Sequence, residues 1–338
     1  MNFISDNTAG APAEILAAIN TVNEKSARAY GEDQWSQQLD ATFSALFERD
    51  VRAFLVPTGT AANAIALACL APAWGAVLCH REAHIERDEC GAPEFFSGGA
   101  KLMLLDGPHA KVTPDTVREG LARNPTSIHA AQLTALSISQ STERGVCYSA
   151  AEMTGLGEVA RAGGLALHVD GARFGNAVAA LGESPAALSW RAGVDLMSFG
   201  ATKGGALGAE AIIAFDPCYA DEIERRRKRG GHLLSKSRYA AAQLLAYVEG
   251  GLWLKLAARA NALAKRIGDA AGAMLSVPVE TNQVFIKPGA AGLAALRAAN
   301  VQFYDWGAAN SGEVRFVVSW NQPEAEVAAL ATVLRSLR

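Results

Sequence analysis

Two apolar rhythms alternate along the chain. Short, mainly apolar runs at 51–56, 76–79, 101–105, 132–138, 165–169, 194–199 and 210–215 have the length and composition of buried strands. Between them lie longer segments whose apolar residues recur every three or four positions. Ile15, Leu16 and Ile19 follow Pro12 on one helical face, and Trp35, Leu39, Phe43, Leu46 and Phe47 do the same after Asp33. AANAIALACLA after residue 60 and the stretches 114–123, 149–162 and 185–192 are further predicted helices. Strand and helix in alternation predict a mostly parallel sheet covered by helices, with functional residues at the carboxyl ends of the strands. Residues 217–229 form a charged helix ending in RRRKRGG, and 237–271 read as long alanine-rich helices. Strands near 283–287, 301–304 and 314–319, with helices near 292–299 and 323–337, make a second compact α/β unit. The expected division is an N-terminal arm and helix (1–25), a large domain (26–247) and a small C-terminal domain (248–338).

Composition narrows the function. At 338 residues the chain outgrows one simple core. Half the residues are hydrophobic, 19% are charged and the net charge is −3, so the basic surplus of a nucleic-acid binder is missing. The uncharged span from Ala53 to Cys79 is interrupted by Pro57, Gly59, Pro72 and Gly75, too often for a bilayer helix of about 20 residues. MNFISDNTAG lacks the basic and apolar regions of a secretory signal, and the five scattered cysteines contain no Cys-x-x-Cys pair. A cytoplasmic protein without membrane or nucleic-acid partners is expected.

The strongest chemical signal is Lys203 in SFGATKGG, where small neighbours let a flat ring lie against the backbone. A lysine amine there can form a Schiff base with an aldehyde; the plain alternative is a surface lysine after a strand. Thirty-three residues upstream, LALHVDGARFG ends a strand-like run in Asp170. A carboxylate that keeps a pyridine nitrogen protonated, paired with an aldehyde-binding lysine, suits pyridoxal 5'-phosphate, although Asp-Gly is also a common turn. PTGT at 57–60 lies between strand and helix, so Thr58, Gly59 and Thr60 are candidate phosphate ligands at a helix N-terminus. Arg173 and Arg315 are candidate carboxylate clamps; Arg315 sits in the apolar run VRFVVSW, where a charge needs a ligand or a salt-bridge partner. His80 and His84 are spaced as a metal pair, but the glutamate of the zinc-protease motif and a third ligand are missing, so no metal is assigned. GLGEVA at 155–160 imitates part of a dinucleotide fingerprint within a helical pattern and is rejected.

SDNTAG, YGED at 30–33, PTGTAAN, HVDGAR, SFGATKGG and EVRFVVSW occur in the order found in threonine aldolases, and the chain resembles that family and the wider β-eliminating lyases over nearly its whole length. The resemblance implies a fold-type-I pyridoxal phosphate fold of the aspartate aminotransferase kind. It further implies cleavage of a β-hydroxy-α-amino acid such as L-threonine or L-allo-threonine to glycine and an aldehyde. Under it, His84 stacks on the cofactor and handles a proton, Ser5 and Tyr30 join the substrate site, and Lys228 reaches a phosphate across a subunit boundary. A homodimer is then the minimum active unit and a homotetramer is implied. One departure stands out: where many members carry a histidine, SQSTERG has Glu143, leaving Glu143, a water or His84 to serve the β-hydroxyl. β-Elimination or transamination on the same fold, and a non-catalytic ligand-binding regulator, are the alternatives.

Overall fold

The apolar runs pair into one seven-stranded sheet. The computed structural model describes residues 1–124, 127–308 and 310–338. Its large sheet contains β1 (Arg52–Val56), β2 (Gly75–His80), β3 (Lys101–Leu105), β4 (Gln132–Ser139), β5 (Ala166–Gly171), β6 (Leu196–Gly200) and β7 (Glu210–Ala214). They lie in the order β1-β7-β6-β5-β4-β2-β3, and β7 alone runs against its neighbours. Strands buried on both faces cannot alternate apolar with polar residues, which is why they read as continuous runs. Parallel neighbours also need helical crossovers, supplied here by the intervening helices.

The helices are α1 (Ala13–Asn23), α2 (Gln34–Phe47), α3 (Gly59–Leu70), α4 (His84–Arg87), α5 (Ala92–Ser97), α6 (Pro114–Arg123), α7 (Ala150–Ala162), α8 (Phe174–Leu181), α9 (Ala220–Arg229), α10 (Arg238–Val248), α11 (Leu252–Ala271), α12 (Gly289–Ala298) and α13 (Glu324–Ser336). A second, antiparallel sheet, β8 (Gln283–Ile286), β10 (Glu313–Val317) and β9 (Tyr304–Trp306), carries Val284, Val314 and Phe316 into a core with Leu263, Ile267 and Leu330 of α11 and α13. Gly250 and Gly251, both at positive φ, separate the expected helices of 237–271 into α10 and α11.

Two expectations are corrected. Residues 185–192 do not form an α-helix: after Pro185 the chain makes turns around Ser184, and Trp190–Ala192 is one 3-10 turn. The helix of this region is α8 instead. Its Gly175 lowers helix propensity but lets Trp253 approach, since a Cβ there would lie 3.2 Å from the indole. The last expected strand before β10 begins at Tyr304 rather than 301. GLGEVA falls inside α7, where a Cβ at Gly157 would collide with the Ala192 carbonyl, so that glycine serves close packing.

Register then places the chemistry. Ser139, Asp170 and Ser198 are cross-strand partners at the carboxyl ends of β4, β5 and β6. Behind them Phe199 packs edge-on against Phe43 and tilted against Trp253 (5.0 and 5.8 Å between ring centres), and Phe47 packs on Phe215. Each such pair adds about 0.5–1.5 kcal/mol beyond burial, which makes the end of β6 a rigid platform for the turn that follows.

Candidate active site

Lys203 follows β6 in a 3-10 turn, Thr202–Gly204, which is held in place by Glu210: its Oε2 accepts the Ala201 N–H at 2.9 Å. Gly204 is required because Tyr247 occupies the space of any Cβ. The Lys203 ammonium is disfavoured first by burial and then by the Arg173 guanidinium, against the opposing pull of Asp6, Asp170 and Glu210. Its pKa is lowered as a result, which biases the amine toward its nucleophilic form.

Asp170 ends β5 fully desolvated, yet its carboxyl is held below the usual range. Burial opposes the charge; the neighbouring His84 and Lys203, the Ala172 N–H on Oδ1 (2.9 Å) and the Asn63 amide on Oδ2 (2.8 Å) overcome it. The same Asn63 nitrogen donates to Glu89 Oε1 at 2.8 Å, and that oxygen meets His84 Nδ1 at 2.8 Å. Burial opposes the imidazolium, but Glu89 and Asp170 raise the His84 pKa. Donor atoms of His84, Glu89 and Asp170 lie within 4.8 Å of one another, but the Asn63 N–H groups already bridge both acids. The His80–His84 metal pair is not formed, because His80 Nε2 bonds the Gly107 carbonyl (3.1 Å) and its Nδ1 accepts the Glu82 N–H (3.0 Å).

A cavity of ≈ 250 Å³ opens between these groups, lined by Thr58, Gly59, Thr60, His84, Asp170 and Lys203 among others. Gly59 and Thr60 form the first turn of α3, whose N–H groups have no partners within the helix. Thr58 Oγ1 caps α3 by accepting the Ala61 N–H at 3.1 Å, which leaves its O–H to donate into the cavity it lines.

The arginines divide. Arg173 spends its Nε and Nη2 on a buried fork with Asp6 (2.8 and 3.0 Å), and Asn282 adds a third bond to that acid at 3.0 Å. It is therefore not the free two-pronged clamp expected; only Nη1 lies outside the fork. Arg315, on β10, forms no ion pair among the described residues, and its Nε is buried without a hydrogen-bond partner. Trp306 and Tyr304 flank its guanidinium at 4.4 and 5.3 Å, while burial and Arg173 pull its pKa down to about 10. Ser5 caps the turn Asp6–Thr8 through the Asn7 N–H (3.1 Å), in an arm whose Asn7 lines the cavity. Glu143 lies after β4, its Oε1 accepting the His84 N–H (3.0 Å) and Ser139 Oγ (2.5 Å). Tyr30 and Lys228 are exposed, stand apart from the cavity and touch each other, the ammonium 4.6 Å from the ring centre.

Asp6, Asn63, Glu89 and Glu210 were not singled out from sequence. Each had a signal: a polar residue in an alanine helix (Asn63), an acid opening an apolar strand (Glu210), an acid inside SDNTAG (Asp6) and an acid five residues after His84 (Glu89).

The sequence profile of the beta-eliminating lyases matches residues 2–290. A low specificity L-threonine aldolase from Pseudomonas sp. (strain NCIMB 10558) is 41% identical, over 99% of this chain and 97% of its own. A solved threonine aldolase from Leishmania major superposes with a TM-score of 0.93 at 26% identity, covering 99% of both chains. An Escherichia coli protein described as having a methionine aminotransferase function has a TM-score of 0.76 at 12% identity, over 99% of this chain and 92% of its own, a likeness of fold alone.

Proposed function

The chain belongs to the beta-eliminating lyase family and has the fold-type-I architecture, and from that premise we propose that it is a pyridoxal phosphate-dependent threonine aldolase. It would cleave L-threonine, L-allo-threonine or related β-hydroxy-α-amino acids reversibly to glycine and an aldehyde. One observation carries the reading: a lysine biased toward its neutral form and an ionised aspartate line a single cavity, beside the open N-terminus of α3. That donor set fits a phosphorylated pyridine aldehyde. Lys203 would attach it, Asp170 would keep a proton on its ring nitrogen, the amides of Gly59 and Thr60 would receive its phosphate, and His84 would lie against the ring. Bound there, the cofactor supplies a sink for the electron pair released at Cα.

The protein's own part is to choose which bond breaks. Arg315 holds a partly desolvated guanidinium, its Nε without a partner, that a substrate carboxylate would complete, and Ser5 and the Nη1 of Arg173 are further candidate donors. Fixing the carboxylate fixes Cα, and so decides which of its bonds faces the sink. The exposed Lys228–Tyr30 pair suits delivery to a second subunit, so the proposal includes a homodimer as the minimum unit and a homotetramer as the assembly. Five unpaired cysteines suit a reducing, cytoplasmic setting. Replacing Lys203 by Ala should abolish covalent cofactor retention and threonine cleavage together. A Lys203→Ala protein that still held its cofactor covalently after borohydride reduction and dialysis, and cleaved at the wild-type rate, would overturn the assignment.

A further inference from the structure

Proton transfer at the substrate hydroxyl is left without an owner by the residues described so far. His84 meets Glu89 through Nδ1 and could exchange a proton through Nε2; in the imidazolium form that Glu89 and Asp170 favour, it can give a proton but not take one. Glu143 is a second candidate, joined to the cavity wall by the N–H of His84 on its Oε1. It follows β4, whose last residue pairs with Asp170, and the chain beyond is tied to β5 by the Gln140 N–H on the Asp170 carbonyl at 2.8 Å. The hydrogen bonds from Ser139 and the His84 backbone both fall on Oε1, which leaves Oε2 the freer oxygen.

The loop that carries Glu143 is pinned on its far side. Arg144 forks Glu313 of β10 at 2.9 and 2.6 Å, Thr281 Oγ1 donates to the Gly145 carbonyl at 2.8 Å, and the Cys147 N–H reaches Glu280 at 2.7 Å. The strand that receives the Arg144 fork also carries Arg315 two residues further on. Glu143 is thus held between β4 and the strand bearing the proposed carboxylate clamp.

We propose that Glu143 is the acid–base group of the reaction proposed above, taking the proton of the substrate β-hydroxyl in cleavage and returning it in the reverse direction. The inference rests on the aldolase reading. In cleavage, Glu143 takes the hydroxyl proton, the O–H pair becomes the second bond of the aldehyde carbonyl, and the Cα–Cβ bond breaks. The pair left on Cα accepts a proton to give glycine, and no oxidant or reductant is consumed. The carboxyl is suited to the task, because burial first, and then Asp170, push its pKa up to about 7 against the Ser139 hydrogen bond, so acid and base forms coexist at neutral pH. The other titratable groups facing it are Asp170 on β5, His84 on α4, Cys79 on β2 and Tyr148; burial keeps the last two neutral there.

Four measurements on the intact holoenzyme test this. Wild-type cleavage should fall as pH drops below about 7, with protonation of Glu143. Glu143→Gln should slow cleavage by about 10²–10⁴-fold and erase that acid limb, while exchange of the glycine α-proton with solvent, which involves no hydroxyl, continues. Glu143→His, which restores a group titrating near neutrality, should recover part of the rate. Independently of turnover, infrared difference spectra should show a protonated carboxyl titrating near neutrality in the wild type and missing from Glu143→Gln. An acid limb that persists in Glu143→Gln, or cleavage within about tenfold of wild type, overturns the proposal. A wild-type enzyme that binds cofactor through Lys203 yet cleaves no β-hydroxy-α-amino acid overturns the aldolase reading, and the role of Glu143 with it.

Discussion

Arg173 and Arg315, the two proposed contributors to carboxylate binding, should respond to alanine substitution in opposite ways. Arg315 keeps a guanidinium partly desolvated with no ion-pair partner among the described residues and an orphaned Nε, so the cost of desolvation is already met before any ligand arrives. Arg315→Ala removes two charge-assisted hydrogen bonds to a substrate carboxylate, each worth about 1.5–3 kcal/mol. The sum, about 3–6 kcal/mol, corresponds to a rise of about 10²–10⁴-fold in the substrate concentration needed. The fold loses only the stacking on Trp306 and Tyr304, about 0.5–2 kcal/mol, and is relieved of an unpaired charge. Arg173 is the reverse case. Its fork with Asp6, whose side chain is only 2% exposed, means that Arg173→Ala strands a buried carboxylate at a cost of about 3–5 kcal/mol. Steady-state kinetics with threonine, glycine titration and thermal unfolding of both variants separate the two effects. Arg315→Ala should bind glycine far more weakly with a nearly unchanged midpoint, whereas Arg173→Ala should melt early. The reasoning fails if Arg315→Ala melts early and binds glycine normally.

Two further outcomes follow from the same geometry. Asp6 lies below the usual carboxylate range in the fold, because Arg173, Lys203 and the Asn282 hydrogen bond outweigh its burial. Its stabilisation is therefore complete above the ordinary carboxylate pKa and is lost as pH falls through the lowered folded value. Asp6→Asn should remove that part of the acid dependence of the thermal midpoint; an unchanged acid profile would contradict the pairing. Mixing inactive Lys203→Ala with inactive Lys228→Ala protein should restore part of the activity, since some hybrid dimers contain one site with both residues intact. No recovery, once subunit exchange is confirmed by mass spectrometry, would place Lys228 outside its neighbour's site.

The sheet was legible because buried parallel strands leave unbroken apolar runs and the crossovers between them leave helical spacing. β3 and α6 coincide with their expected bounds, and the other large-sheet strands fall within about two residues of theirs. Where reading failed, local preference had lost to packing: Gly175 looks like a poor helix residue until Trp253 is placed against it. Lys203 and Asp170 could be found because a glycine-rich turn and a strand-ending acid are local features. The partners that tune them are not local. Asn63 reaches Asp170 across 107 positions and Asp6 reaches Arg173 across 167, so neither pairing leaves a spacing to read. For the same reason Arg173 looked like a free clamp. Asp6, far away in the chain, had already taken two of its nitrogens.

The central claim is the identity of the bond broken, and product analysis addresses it without intermediaries. Purified protein supplied with pyridoxal phosphate and either L-threonine or L-allo-threonine should release glycine and acetaldehyde in equal amounts, and should form the amino acid again from the two. Release of ammonia with a keto acid, or transfer of the amino group to a keto-acid acceptor, in place of glycine and aldehyde, would contradict the account.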